Sequence, residues 1–216
     1  MDTKTLCAEY AQLGYRERLE RLFSEFDRVL VTSSFGTSSA TFLHLLHQVK
    51  PDHPIYFVDT TYHFAETHAY RRTLSTLWEL NVIPVRPKAN ENMFTKVDFT
   101  WTHEPDACCY VNKVLPLAEL KNKHQVWISG MVGGSTTHRQ QLPIFKEKEG
   151  LLRFYPLLDM TKEEAEWNQV IYDLPKHPLE DKGYGSVGCA HCTIPGKGRE
   201  GRWAGNQKTE CGLHVH

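Results

Sequence analysis

The amino-acid sequence predicts an α/β protein, a parallel sheet with helices on both faces. Short β-branched runs recur at 28–33, 54–59, 81–86 and 125–129. Segments with apolar residues at helical spacing lie between them. The first run ends in a turn of small and hydroxyl residues, Ser33-Ser34-Phe35-Gly36-Thr37-Ser38-Ser39, that leads directly into a helix.

The elements follow in order. Cys7 falls within an N-terminal helix. Residues 14–28 form a charged amphipathic helix, with Leu19, Leu22, Phe23 and Phe26 on one face. Residues 28–33 are a buried strand, 40–49 a helix, 54–59 a second strand and 65–80 a second helix. Strands at 81–86 and 125–129 continue the alternation. Residues 142–155 read as an irregular hairpin, and Thr161-Lys162-Glu163-Glu164 opens a helix as a capping box. Beyond Pro175 the composition shifts to Gly, Lys, Arg and His with few aliphatics. Residues 1–180 are therefore expected to form the α/β body, and 181–216 a tail of the same domain packed over a site.

With 216 residues the chain is long enough for one domain with a real core. A formal net charge of −1 argues against general nucleic-acid binding. The N-terminus has no apolar signal core and no stretch is apolar enough to span a bilayer, which leads to an expectation of a cytoplasmic protein without a membrane partner. In a reducing compartment, grouped cysteines point to metal binding or catalysis rather than a disulfide framework.

The turn after the first strand can present backbone N–H groups and a helix N-terminus to an anion. It matches neither the Walker lysine loop nor the dinucleotide fingerprint, and its plain alternative is a helix cap with a tight turn. Ligands of open α/β sheets lie beyond the carboxyl ends of the strands. Asp59-Thr60, ending the second strand, and Gly130, ending the fourth, border the same crevice.

Five of the six cysteines fall into three groups: Cys108-Cys109, Cys189-Ala190-His191-Cys192, and Cys211 in Glu210-Cys211-Gly212-Leu213-His214. An adjacent pair suits a single tetrahedral zinc poorly, because neighbouring side chains diverge. An iron–sulfur cluster offers each thiolate its own iron. Zinc, a vicinal disulfide and thiols buried as small hydrophobes remain open. Arg199 and Arg202, three residues apart, can grip an oxyanion; a solvated basic surface is the alternative. Nearby cations would raise the thiolate fraction of Cys211, and Gly212 allows close approach and movement; an exposed, idle tail cysteine is the alternative.

Taken together these residues resemble the assimilatory adenylyl-sulfate and phosphoadenylyl-sulfate reductases. The resemblance is carried by Ser33-Ser34-Phe35-Gly36, Asp59-Thr60 with Glu66-Thr67, Cys108-Cys109 with Lys113 and Pro116-Leu117, and Trp127-Ile128-Ser129-Gly130. It continues through His177-Pro178-Leu179, Gly183-Tyr184, Ser186, Gly188-Cys189 and Cys192, then Arg199-Glu200-Gly201-Arg202-Trp203 and the Glu210–His214 run. It implies an α/β fold of the adenine-nucleotide α-hydrolase (PP-loop, Rossmann-like) type with the tail closing over the site. It implies Cys211 as the nucleophile and a [4Fe-4S] cluster on Cys108, Cys109, Cys189 and Cys192, with Lys113 between cluster and substrate. Arg139, Arg199, Arg202 and His214 would lie near the phosphosulfate. Ser34, Gly36, Ser38, Val58, Asp59, Thr60 and Gly130 would surround the nucleotide. Thioredoxin or glutaredoxin would be the reductant, and a homo-oligomer is left open.

Both cysteine pairs are typical of members that prefer adenylyl sulfate. Two features depart from the pattern: Met131-Val132-Gly133-Gly134-Ser135 stands where relatives carry arginines, and the nucleotide turn lacks an acidic residue found in many cluster-bearing relatives. The Ser-Ser-Phe-Gly turn looks more like that of users of the 3′-phosphorylated substrate, which keeps phosphoadenylyl sulfate, or dual use, as the alternative. A tRNA sulfurtransferase would show a fuller phosphate loop and a basic RNA face, and a non-catalytic iron–sulfur or zinc module would not need Cys211.

Overall fold

The computed structural model describes residues 2–133, 137–205, 208 and 210–215, with the side chains of residues 137, 138, 214 and 215 excepted. Six strands, β1 (Val29–Thr32), β2 (Ile55–Val58), β3 (Val82–Val85), β4 (Val126–Ser129), β5 (Phe145–Lys148) and β6 (Leu151–Phe154), form one sheet in the order β3-β2-β1-β4-β6-β5. All neighbours are parallel except β5 and β6. The order reverses at β1, between β2 and β4, and such a switch point opens a crevice at the strands' carboxyl ends.

Burial explains why these runs are strands. Every residue of β1 and β4 is buried, as expected for central parallel strands covered on both faces. The strand β3 is half exposed and carries Pro84; at the sheet edge the missing N–H has no ladder partner to lose. The 142–155 segment is an antiparallel hairpin whose second strand pairs parallel with β4. It therefore completes the main sheet instead of standing apart from it.

Helices cover the two faces: α1 (Thr3–Ala11), α2 (Tyr15–Glu25), α3 (Ser39–Val49), α4 (Ala65–Leu77), α5 (Ala89–Val97), α6 (Thr100–His103), α7 (Pro105–Cys109), α8 (Leu115–Lys123), α9 (Thr137–Gln140), α10 (Lys162–Ile171) and α11 (Gly212–Val215). The α2 helix buries Leu19, Leu22 and also Arg18. The Arg18 guanidinium reaches Asp159 at 2.5 and 2.6 Å and donates to the carbonyls of Tyr10 and Pro156. That pair clamps the N-terminal helices to the turn after β6. Thr161 caps α10 with the reciprocal Glu164 bonds of a capping box. Cys7 packs on β5, its sulfur accepting from the Phe145 N–H at 3.3 Å.

Candidate active site

The turn between β1 and α3 is built around a buried aromatic. Phe35 takes a left-handed φ of 49°, a conformation costly for a bulky residue. Its ring is fully buried and meets Phe57 edge-on at 5.6 Å. The Ser33 hydroxyl accepts from the Phe35 N–H at 3.2 Å. Anchoring Phe35 in the core leaves Ser34, Gly36, Thr37 and Ser38 to line a crevice of ≈ 170 Å³. Phe42, Val58, Gly130 and Met131 form its apolar wall. The Phe42 ring lies against the Gly130 backbone so closely that a β-carbon there would sit 2.5 Å from it.

The opposite wall is cationic. Lys113, Arg139, Arg199 and Arg202 line it together with Cys211. Lys113 sits in a π-helical turn, Tyr110–Val114, directly after α7; such bulges re-aim side chains. Its Nζ lies 3.9 Å from the Cys109 sulfur. Burial alone would lower its pKa, but the negative charge of Cys189, Cys211 and Cys109 outweighs this and raises it well above the usual lysine value. Arg202 lies over the Trp203 ring, 4.4 Å from its centroid, and donates to the Val187 carbonyl at 3.2 Å. A β-carbon on Gly188 would sit 2.2 Å from its Nη2. Glycine at 188 is thus what lets the guanidinium lie flat against the backbone.

Glu210 joins two of these cations. Arg139 donates to it through Nε at 2.8 Å and Nη2 at 3.0 Å, and Arg199 through Nη2 at 3.2 Å. Burial and repulsion from Arg139 bring the Arg199 pKa down to about 10.

Behind the cationic wall lie the paired cysteines. Cys108, Cys109 and Cys189 are buried, Cys192 is half-buried, and all are free thiols. Asn112 holds α7 in register: its amide donates to the Cys108 carbonyl at 2.9 Å and to Thr95 at 3.0 Å, and accepts from Asn92 at 2.7 Å. Asn92 in turn donates to the Thr60 carbonyl at 3.2 Å, tying the pair to the end of β2. The Thr60 hydroxyl lies 3.4 Å from the Cys189 sulfur, and a backbone bridge joins Cys189 to His63. Burial and the neighbouring Cys189 charge push the Cys108 thiol up to about 11 and Cys192 up to about 12. A hydrogen bond to Cys211 and then burial raise Cys109 as well.

Four soft sulfur donors, mutually repelling when ionised and faced by Lys113 and Arg202, suit a centre whose positive ions would offset that repulsion. Among the described residues no three His, Cys, Asp or Glu side chains converge on one ion. On this chemistry the donor set fits an iron–sulfur centre.

Of the residues singled out from sequence, Ser34, Gly36, Ser38, Val58, Lys113, Gly130, Arg139, Arg199, Arg202 and Cys211 line the crevice. Asp59 and Thr60 do not: Asp59 turns to Arg86 at 3.0 Å, and Thr60 to Cys189. The side chain of His214 lies outside the described residues, as do residues 134–136 of the departing segment. Sequence reasoning missed Glu210 as an arginine partner, and Phe42, His63 and Gly188 in the crevice wall. The Gly188-Cys189 pairing was visible in the chain, but nothing local signalled that Arg202 packs on it.

A mostly parallel sheet with this strand order and a crevice at its switch point defines the class as an open, doubly wound α/β fold. The fold is shared with solved structures at low identity. A phosphoadenylyl-sulfate reductase from Candida auris, solved as a phosphate complex, superposes with a TM-score of 0.76 at 23% identity, covering 89% of this chain and 96% of that one. The FMN adenylyltransferase of Candida glabrata superposes with a TM-score of 0.56 at 14% identity, covering 89% and 73%. Residues 28–195 match the phosphoadenosine phosphosulfate reductase domain model. Adenosine 5′-phosphosulfate reductases of Bacillus cytotoxicus and Bacillus cereus are each 36% identical to this chain, over 91% and 89% of it and 88% and 86% of their own lengths. The chain belongs to the phosphoadenosine phosphosulfate reductase family and is an enzyme of sulfate reduction. No helix among the described residues is long and apolar enough to cross a membrane.

Proposed function

We propose that the chain reduces adenylyl sulfate to sulfite and AMP through an S-sulfocysteine on Cys211, with a dithiol protein of the thioredoxin or glutaredoxin type as reductant, in cytoplasmic sulfate assimilation. The observation that carries this reading is the convergence of Cys211 with Lys113, Arg139, Arg199 and Arg202 on one crevice. The oxygens of a phosphosulfate repel an incoming thiolate, so the attack requires cations at the point of charge build-up.

In this reading the adenosine lies against Phe42, Val58, Gly130 and Met131, with its phosphate toward the Ser34–Ser38 turn. The Cys211 thiolate attacks sulfur, the sulfur–oxygen bond to AMP breaks, and AMP leaves with the electron pair. A thiolate of the donor protein then attacks the Cys211 sulfur and expels sulfite. The donor's second thiol resolves the mixed disulfide, so the donor is oxidised by two electrons and Cys211 returns as a thiol. Cys108, Cys109, Cys189 and Cys192 would hold a [4Fe-4S] cluster, which would supply fixed charge beside Lys113 and help to order residues 108–113. Residues 181–216 act as a tail of the same domain that must admit the donor between the two half-reactions.

The 36% identity to proteins named adenosine 5′-phosphosulfate reductases favours adenylyl sulfate over its 3′-phosphorylated form. Comparing kcat/KM on the two nucleotides tests this, and parity or a preference for the 3′-phosphate would overturn it. Incubation with adenylyl sulfate and no reductant should leave a sulfonate adduct on Cys211 by peptide mass spectrometry. An adduct elsewhere, or none, would sink the mechanism.

A further inference from the structure

The two cysteine pairs come from distant parts of the chain, and a set of rings joins them. His191 lies between Cys189 and Cys192 in sequence, and its ring stacks on Trp101 with centroids 4.3 Å and planes 24° apart. Trp101 belongs to α6, just before the helix α7 that carries Cys108 and Cys109. Tyr62 meets His191 edge-on at 4.5 Å and Trp101 at 5.4 Å. Its carbonyl accepts from the Ala190 N–H at 2.7 Å. Its hydroxyl lies 2.8 Å from that of Thr95, which in turn accepts from Asn112. The rings therefore fasten the Cys189–Cys192 turn to the segment of the first pair.

This arrangement is kept at two local costs. The His191 Nε2 is buried without a hydrogen-bond partner among the described residues, and an unbonded buried polar atom is destabilising. Phe99, whose ring meets Trp101 at 5.3 Å, takes a left-handed φ of 52°, which a bulky side chain rarely adopts. Exposure falls along the same set of groups. Phe99 is exposed, Trp101 and His191 are half-buried, and Cys108, Cys109 and Cys189 are buried, with Cys192 half-buried at the margin. We propose that the Trp101–His191 stack is a solvent shield for the four-cysteine centre: it holds the Cys189–Cys192 turn against the first pair and limits the rate at which water, oxygen or a chelator reaches the thiol ligands. His191 acts through the plane of its ring and not as a ligand or a hydrogen-bonding group. The inference rests on the reading of these four cysteines as holders of a metal centre.

The test uses the full-length protein, purified without oxygen, as wild type, Trp101→Leu, His191→Gln and His191→Phe. Glutamine keeps polar atoms and loses the ring, whereas phenylalanine keeps the ring and loses the nitrogens. The first readout is the rate of alkylation of Cys189 and Cys192 by iodoacetamide, mapped by peptide. Cys7, packed on β5, reports general opening in the same sample. Trp101→Leu and His191→Gln should speed alkylation of Cys189 and Cys192 about tenfold, as expected for losing one or two ring contacts, and leave Cys7 unchanged. His191→Phe should stay within about twofold of wild type, because the stack survives. The second readout is the rate at which bound iron passes to excess EDTA, which should follow the same order. Melting curves identify a variant that fails to fold, in which case Trp101→Met and His191→Met carry the same comparison. Wild-type rates in both ringless variants would overturn the inference. Phenylalanine as fast as glutamine would overturn it too, by giving the role to the ring nitrogens, and Cys7 rising in step would reduce the stack to a general stabiliser. Absence of iron from the wild type defeats the metal-centre reading alone, because the alkylation comparison needs no metal.

Discussion

The sheet and the C-terminal segment are held together by different forces. In β1 and β4 every side chain is buried, and Leu30, Trp127 and Leu151 pack as one apolar cluster across three neighbouring strands. The described residues of the 181–216 tail contribute few aliphatics to the core. They are secured by short backbone bridges, such as Thr193 with Arg202, and by the Arg139–Glu210–Arg199 ion triplet. Backbone also packs on backbone: a β-carbon on Gly201 would lie 2.0 Å from the Ile194 carbonyl oxygen. Burial is non-directional and cooperative, so the sheet tolerates no motion but accepts many apolar sequences. Polar contacts are directional and individually replaceable, so a segment built from them can open, close and present charge. The crevice lies where the second kind of structure meets the first.

This contrast implies that substitutions in the two regions should fail differently. The largest effect is expected for Cys211→Ser, which should reduce sulfite release to background while leaving the denaturant midpoint unchanged, since the half-buried thiol contributes little packing. Loss of folding in this variant would break the comparison at once. The opposite signature is expected for Leu30→Ala: about 2–5 kcal/mol of stability lost through a buried cavity, with KM unaltered wherever the protein remains folded. Denaturant titration and steady-state kinetics on the same sample check both halves. Gly188→Ala is the sharper probe, because it should expel the Arg202 guanidinium from its place against the backbone. A loss of roughly 100-fold in turnover is expected from removing one charge-stabilising group, with little change in melting temperature. Equal losses in turnover and stability would mean that Gly188 serves the fold and not the site.

The same contrast decides what was legible in the sequence. Strands β1, β2 and β4 announce themselves because complete burial demands unbroken apolar runs, and α2 because its buried stripe has helical period. The pairing of β6 beside β4 left no local mark; a hairpin looks the same whether or not a distant strand adopts it. The helices between 89 and 123 are equally silent in the sequence. Pro105, the adjacent cysteines and the π turn interrupt their period, and Met93, Phe94 and Val97 are exposed, so no single apolar face exists to detect. In the site, the cysteine groups and the Arg199–Arg202 spacing stand out because those residue types are costly without a purpose. Glu210 does not stand out: a lone carboxylate reads as surface, and its two arginine partners are remote in sequence or carry no visible sign of pairing. Asp59 was placed at the crevice from its position at the end of a strand, but the side chain is drawn away by Arg86, a contact that strand-end logic does not contain.

The smallest expected effect concerns the junction of the N-terminal helices and the sheet, where a buried arginine meets a half-exposed carboxylate. Arg18 is buried, whereas the Asp159 side chain is 47% exposed. Burial alone would raise the Asp159 pKa, but the hydrogen bonds and charge of Arg18 outweigh it and hold the carboxyl below the usual range. An aspartate free in the unfolded chain titrates near ~3.9. Its folded value is lower, so between the two the unfolded state binds more protons, and acid favours unfolding. The stability from this pair is therefore fully present above about pH 4 to 5 and is lost as pH falls through the folded value. Because Asp159 is solvated on one side, its contribution is discounted to about 1–2 kcal/mol. Asp159→Asn should lower stability at neutral pH by that amount and flatten the acid limb of a stability-versus-pH curve. An acid limb as steep in Asp159→Asn as in the wild type would assign the acid sensitivity to other carboxylates, and would leave the Arg18 clamp resting on its two carbonyl bonds to Tyr10 and Pro156.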